Sequence, residues 1–576
     1  MQLPVSDWFL VLLHGSRLDI SITGYIMVIP ALVIISSSYS KGKFLTRFIN
    51  TYTIILLLIS SFVIISDMEL YRHWGFRMDA TPLLYLANPK EIAGSADFLA
   101  TVIQTIIWML IMVVSLVAYF KFIRRKLRDI KKANWKVSLV FLFVLSTLIL
   151  PVRGSLGIAP MNVGFVYFHK SNVFANHAAI NVLWNVGHAL TKLNKTKQVK
   201  FYEEDKAKKI FRELYVDNGN TEILLNCNKP NILIMILESY TAKIIEPLGG
   251  LQGITPNFTN LCKEGILFSN FYSSGDRTDK GVLSILNGYP AQPITSIIKF
   301  AKKTEHLPYL NQDLKQIGYN TQFVYGYDIN YANFNSYFSI ARFDDIVDKD
   351  DFPAGTQTSK WGVHDHIVFD KLFDECNKSK MPFFKTLMSQ SSHEPFTVPM
   401  ETVIEGGDEE SRFLNSAYYT DKCIGDFIEK AKQTDWWEKT LIIFVADHGA
   451  RHPENTPSFK IKKFHIPMLW VGGALAKRDT IIETFSGHTD IPLTILKQLG
   501  SENKNYKFSQ NIISSEAPSF AFYDFNNGFG FVTEEVKLIF DIVSSKYILT
   551  EGLQNNEDLE IPKAYMQTLS EDFTDK

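Results

Sequence analysis

Long apolar runs in the first 152 residues constrain this chain before anything else: Ile20 to Ser38, Phe48 to Ser66, Phe98 to Phe120 and Val137 to Leu150. The first three are close to the ~20 residues a helix needs to cross a bilayer, and the last can extend past Pro151. A weaker run, Val5 to Leu13, contains Asp7 and is too short for a span by itself. The pattern predicts a transmembrane domain over 1–152 of about five helices, the first marginal. No basic region precedes the first run, so these segments read as anchoring helices and not as a cleaved leader.

Basic residues set the expected orientation. Lys41, Lys43 and Arg47 lie between the second and third runs, and Lys121, Arg124, Arg125, Lys126, Arg128, Lys131, Lys132 and Lys136 between the fourth and fifth. Such loops stay on the cytoplasmic side, which places the Asp67 to Asp97 loop and everything after Arg153 outside. A nucleic-acid role for the second cluster is disfavoured by its place between two apolar runs and by a formal net charge of −1. Within the outer loop, Glu69, Arg72, His73, Arg77 and Asp79 stand beside Tyr71, Trp74 and Phe76, the composition of an interfacial belt or of a lipid-headgroup contact.

Residues 153–225 read as a connector. Within it, Ala175 to Leu190 carries Ile180, Leu183, Trp184 and Gly187 at helical spacing, an amphipathic helix for the membrane surface or the following domain. From 226 to 576 apolar strand-like runs alternate with helical patterns, the signature of a mostly parallel sheet with helices on both faces. The expected strands are Ile232 to Leu237, Thr321 to Tyr325, Phe383 to Leu387, Leu441 to Ala446 and Met468 to Val471. Phe520 to Phe525, Gly530 to Thr533, Lys537 to Phe540 and Lys546 to Thr550 are short and turn-punctuated, a small antiparallel sheet before a last helix. Cys227, Cys262, Cys376 and Cys423 form no C-x-x-C pair, which excludes a zinc-knuckle module and favours buried thiols over disulfides.

Two strands end abruptly in groups that bind cations. Asn231 to Leu237 is followed by Glu238-Ser239, and Leu441 to Ala446 by Asp447-His448-Gly449. In open α/β sheets ligands gather beyond the carboxyl ends of strands, so these groups can converge. A third segment, Ser273-Ser274-Gly275-Asp276-Arg277-Thr278-Asp279-Lys280-Gly281, reads as a loop between the apolar run Ile266-Leu267-Phe268 and a helix. It holds Thr278 at a helix N-terminus, where unpaired N–H groups favour an anion. A threonine hydroxyl becomes a nucleophile only where a base or metal lowers the cost of ionising it. Glu238, Asp447, His448 and the Thr278 oxygen form a donor set suited to one divalent ion, Zn²⁺ or Mn²⁺.

These segments, with Thr255-Pro256-Asn257-Phe258, Ser391-Ser392-His393-Glu394-Pro395-Phe396 and Phe464-His465-Ile466-Pro467, resemble in order the lipoteichoic acid synthase family. These are membrane-anchored phosphoglycerol transferases of the sulfatase and alkaline phosphatase superfamily, related to phosphoethanolamine transferases. The resemblance implies Thr278 as nucleophile, Glu238, Thr278, Asp447 and His448 as metal ligands, and His393 and His465 near the transferred phosphate or its headgroup. Arg277 and Lys280 flank Thr278 and either neutralise phosphate oxygens or are solvated loop charges. Where the family carries a Trp and an Arg for the glycerol phosphate headgroup, this chain has Phe334 and Ser336. Trp361-Gly362-Val363-His364-Asp365 also resembles the family, with packing as its expected role.

The expected protein is therefore a multi-span transferase of a bacterial-type cell membrane, its catalytic domain on the extracytoplasmic face. It would move a phosphoglycerol-type headgroup from a phospholipid donor to a hydroxyl on an envelope glycan or lipid, with no nucleic-acid partner. Phosphoethanolamine transfer and hydrolysis by the same fold are the alternatives, with a membrane-anchored ligand-binding protein as the reading from another class. Sulfate-ester hydrolysis of the type I kind needs a C/S-x-P-x-R motif; the loop Gly275 to Gly281 has no proline and no oxidisable residue at the nucleophile.

Overall fold

The computed structural model describes residues 3–37, 42–80, 82, 98–127, 134–153, 161, 163–166, 168–169, 172–191, 199–216, 219–329, 331–501 and 505–576. Lys41, Arg128, Lys131 and Lys132, and the parts of the outer loop and connector at 83–97, 154–160 and 192–198, lie outside the described residues. The chain divides into two compact units, 1–196 and 197–576, so the segment 153–225 expected as one connector is shared between them.

Among the described residues, the first unit contains four helices long and apolar enough to cross a membrane: Val5–Ser36, Gly42–Trp74, Leu99–Lys126 and Trp135–Arg153. Four replaces the expected five because the runs Val5 to Leu13 and Ile20 to Ser38 form one helix. The polar break between them is satisfied by packing. Asp19 accepts from Asn181 Nδ2 at 2.7 Å, Ser21 Oγ donates to Val152 O at 3.1 Å, and a Cβ on Gly15 would lie 2.9 Å from Ala179 O. The helix expected over Ala175 to Leu190 is two, Val173–Ala178 and Val182–Leu190. Asn181 interrupts them and caps the second by accepting from Trp184 N at 3.0 Å. Trp184 is buried, and its Nε1 donates to Ser21 Oγ at 3.1 Å, so this segment packs within the first unit.

The second unit is built on β1 (Asn231–Leu237), β2 (Ile266–Phe268), β3 (Phe271–Tyr272), β4 (Asn320–Tyr325), β5 (Asp345–Val347), β6 (Phe383–Met388), β7 (Thr440–Ala446), β8 (Met468–Val471), β9 (Thr480–Ile482) and β10 (Ser486–Gly487). Eight of them form one sheet in the order β5-β4-β6-β1-β7-β8-β2-β9. The stretch from β5 to β7 is parallel, β8 runs antiparallel to both neighbours, and β9 is parallel to β2. All five expected large-sheet strands lie in it. Their apolar runs are legible because both faces are covered: every residue of β1, β6 and β7 is buried. The short outer strands β5 and β9 are half-exposed and carry no comparable run.

A second sheet, antiparallel, comprises β11 (Ala521–Phe525), β12 (Gly528–Val532), β13 (Lys537–Asp541) and β14 (Lys546–Glu551), followed by the helix Ile561–Asp575. Gln567 of that helix accepts from Phe201 N at 2.7 Å and Tyr202 N at 2.8 Å, which ties the start of the second unit to its end. All four cysteines are free thiols.

Register positions the site. Leu237 of β1 pairs with Ala446 of β7, so the next residues, Glu238 and Asp447, leave the sheet side by side.

Candidate active site

Thr278 is the first residue of the helix Thr278–Asn287, entered from β3 through Ser273 to Arg277. The loop is tethered by backbone contacts on several sides. Ser273 N donates to Phe464 O at 2.8 Å, Asp524 N to Ser274 O at 2.8 Å, and Ala291 N to Ser274 Oγ at 2.8 Å. Gly281, in the first turn, lies so close to the end of β7 that an added Cβ would be 2.0 Å from Asp447 O. Only glycine lets the helix start come this close to the end of β7.

At that meeting point Thr278 Oγ1 is 3.3 Å from Glu238 Oε2 and 3.5 Å from His448 Nε2. His448 Nε2 is also 3.6 Å from Glu238 Oε1 and 3.5 Å from Asp447 Oδ2. These separations are long for hydrogen bonds. They match four donors around one centre: ligands about 2.1 Å from a tetrahedral ion lie about 3.4 Å from each other. The remaining contacts aim the donors. The Gly449 carbonyl lies 3.4 Å from His448 Nδ1, on the side away from Nε2. Asp447 Oδ1 accepts from Ser239 N at 2.9 Å and His448 N at 2.8 Å, while Oδ2 is buried with no hydrogen-bond partner among the described residues. Burial, then the Asp447 carboxylate, push the Glu238 carboxyl well above the usual range, so two ionised groups there require a cation beside them. The residues present therefore fit one divalent ion.

Several supporting groups are invisible to sequence patterns. Ser239 has φ 58°, a left-handed conformation uncommon outside glycine, and its Oγ donates to Glu238 Oε1 at 2.7 Å. Ser389 Oγ accepts from Glu238 N at 2.9 Å, and Ser392 Oγ donates to Glu238 O at 2.6 Å. His488 bridges the nucleophile loop to β7: Nε2 donates to Ala446 O at 2.7 Å, and Nδ1 accepts from Ser274 N at 3.2 Å. Acceptance at Nδ1 requires the neutral ring, and burial pushes its pKa down to about 4.

The substrate-binding candidates are placed differently from one another. His393 Nδ1 lies 3.0 Å from Glu394 O, and its ring packs on Trp361 with centroids 3.9 Å apart. Asp365 holds the same loop by accepting from Gln390 N (2.8 Å), Ser391 N (3.1 Å) and Thr420 Oγ1 (2.7 Å). Burial lowers the His393 pKa, opposed in part by the Glu394 backbone carbonyl and carboxylate. His465 stacks on Tyr272 at 5.1 Å and donates from Nε2 to Ser269 O at 2.7 Å, contacts with the segment leading into the nucleophile loop. Lys280 pairs with Asp276 at 2.9 Å, both nearly buried. Burial alone would raise Asp276, but the Lys280 and Arg277 charges hold it well below the usual carboxylate range. Phe334 is 1% exposed and packs against Tyr325 and Phe338, inside the core.

Residues 230–501 match the Sulfatase family model. The chain is similar to the lipoteichoic acid synthase-like protein YvgJ of Bacillus subtilis (strain 168), 23% identical over 316 residues, 50% of this chain and 51% of the relative. It is also similar to phosphoglycerol transferase I of Xanthomonas axonopodis pv. citri (strain 306), 23% identical over 285 residues, 46% of this chain and 40% of the relative. The chain spans about half the length, or less, of these curated relatives. Among solved structures, a protein in the alkaline phosphatase superfamily from Vibrio parahaemolyticus superposes with TM-score 0.58 and 25% identity, over 66% of this chain and 98% of that one.

Proposed function

We propose that this chain is a membrane-anchored, metal-dependent transferase that moves a phosphoglycerol-type headgroup from a phospholipid such as phosphatidylglycerol to an acceptor hydroxyl on an envelope glycan or lipid. The observation that carries the reading is the convergence of Thr278 Oγ1 with Glu238, Asp447 and His448 at the start of a buried helix. The relatives named for lipoteichoic acid synthesis and phosphoglycerol transfer support the choice of group.

Glu238, Asp447, His448 and Thr278 Oγ1 would hold one divalent ion, Mn²⁺ or Zn²⁺. Bound there, it lowers the cost of ionising the hydroxyl and offsets charge on the phosphate oxygens. As the Thr278 oxygen bonds phosphorus and the bond from phosphorus to the diacylglycerol oxygen breaks, the proton that Thr278 loses is relayed to that leaving oxygen, a transfer assigned to His393 or His465. The headgroup phosphate then rests on Thr278 as a diester until the acceptor hydroxyl attacks the same phosphorus, the bond from phosphorus to the Thr278 oxygen breaks, and the acceptor's proton passes back to Thr278 Oγ1. Arg277, which precedes the first helical residue, is assigned to neutralise phosphate oxygens together with the first N–H groups of the helix. Lys280 contributes through Asp276 by fixing the loop that carries Arg277 and Thr278. Phosphoethanolamine is the second reading for the group transferred. Phe334 lies in the core, and so supplies no headgroup contact where the family carries one.

The four apolar helices fit a membrane protein, and the basic residues between them support an external catalytic unit. A reporter active only in the cytoplasm, fused after Lys576, is expected to stay silent; strong signal in intact cells reverses the orientation. The activity itself is tested by diacylglycerol release from phosphatidylglycerol and phosphatidylethanolamine. The parent should release it from one of them and Thr278→Ala from neither. Aryl sulfate hydrolysis without lipid turnover would overturn the assignment.

A further inference from the structure

The first unit holds a cavity of about 300 Å³, at the small end of the range for ligand sites, that the transfer chemistry does not use. Its walls come from the helices Val5–Ser36 and Gly42–Trp74, from Arg77, and from the turn 178–182. The polar part is Asp67, buried, which accepts from Arg77 Nη1 at 2.9 Å and from Met78 N at 2.7 Å. Arg77 also donates from Nη2 to Ile180 O at 3.0 Å, while its Nε is buried with no hydrogen-bond partner among the described residues. Asp19 lines the same space through a carboxylate engaged by Asn181. The apolar part includes Leu12 and Met68, 72% and 65% exposed.

Position along the helices matters as much as lining. At ~1.5 Å per residue, Asp19 lies roughly 26 Å and Asp67 roughly 38 Å from the helix ends next to residues 38–41. A hydrocarbon core is about 30 Å thick, so the polar floor falls at one boundary of the bilayer and not at its centre. A polar floor at that depth, with exposed apolar side chains on its flank, matches an amphipathic molecule lying in the membrane.

We propose that this cavity seats the head of a neutral, hydroxyl-bearing glycerolipid, its acyl chains running out past Leu12 and Met68. The lining charges decide against an anionic head. Asp19 and Asp67 line the cavity with one guanidinium, Arg77, that is already paired with Asp67, so a phosphate would meet excess negative charge among the lining groups. A hydroxyl suits this lining because it donates to a carboxylate oxygen, such as that of the exposed Asp19, without bringing a charge. Diacylglycerol and glycosyl diacylglycerol share that chemistry. The proposal stands on the first unit alone and does not depend on the transfer reading.

The test uses the full chain carrying Thr278→Ala, so that probe turnover plays no part, in phosphatidylcholine nanodiscs. Each sample contains one photoactivatable lipid with a diazirine near the head: diacylglycerol, monoglucosyl diacylglycerol or phosphatidylglycerol. We expect a neutral probe to label peptides containing Leu12 to Asp19 or Asp67 to Arg77 about tenfold more than phosphatidylglycerol does. Met68→Trp, which fills the exposed mouth, should cut that labelling by about tenfold with helicity unchanged. Leu12→Trp replaces it if the first variant does not fold. Stronger labelling by the glucosyl lipid identifies a glycosylated occupant, and stronger labelling by diacylglycerol an unglycosylated one. Labelling by phosphatidylglycerol at equal strength, labelling insensitive to both Trp variants, or no labelling of these peptides overturns the proposal.

Discussion

Gly281 and Asp447 touch backbone to backbone: a Cβ at Gly281 would lie 2.0 Å from the Asp447 carbonyl oxygen. This approach sets the start of the Thr278 helix against the end of β7, so Thr278 and the candidate metal ligands share one position. Gly281→Ala has to move one of the two. We expect about 1–3 kcal/mol of lost stability and roughly 100-fold slower turnover, read by thermal unfolding and diacylglycerol release. Parent-like turnover would show that the close approach is dispensable.

Asp447 Oδ2 is buried beside His448 Nε2 and Glu238 without a donor among the described residues, which is stable as a carboxylate only beside a cation. Chelation should therefore abolish lipid turnover, and Mn²⁺ or Zn²⁺ should restore it. Asp447→Asn keeps the shape and removes the charge; we expect at least ~100-fold weaker metal affinity by elemental analysis and titration. Full activity in metal-free protein contradicts the metal assignment.

His488 makes stability depend on pH. Burial lowers its folded pKa to about 4, below the ~6.5 of a free imidazole, so unfolding takes up a proton between those values. The contribution is whole above pH 6.5 and is lost as pH falls toward 4, by about 2–4 kcal/mol in all. His488→Gln removes this component, so the denaturation midpoint of the variant should fall less between pH 7 and pH 5 than that of the parent. Parallel pH profiles would remove His488 from the account.

The catalytic sheet was legible because β1 and β7 are buried on both faces and their apolar runs end abruptly at Glu238 and Asp447. The convergence with Thr278 followed from strand-end geometry together with the family resemblance. Ser239, Asp365 and His488 were not legible. Each is a single polar residue whose role depends on a partner remote in sequence, such as Asp447 for Ser239 or Ser274 for His488. The fifth expected helix failed for a related reason: the polar residues between Leu13 and Ile20 looked like a break, and only Asn181 and Ala179 show how a helix passes through it. Lys280 stands four residues after Asp276, a spacing that already favours an ion pair on a helical turn, and it makes that pair.

The central claim is that Thr278 carries the headgroup phosphate between donor and acceptor. Peptide mass spectrometry after incubation with phosphatidylglycerol and phosphatidylethanolamine, without acceptor, tests it most directly. The account predicts a glycerol phosphate adduct on Thr278, formed with diacylglycerol release and absent from Thr278→Ala. A phosphoethanolamine adduct would keep the mechanism and change the group. Diacylglycerol release at the parent rate from Thr278→Ala, or turnover with the modification on another residue, would contradict it.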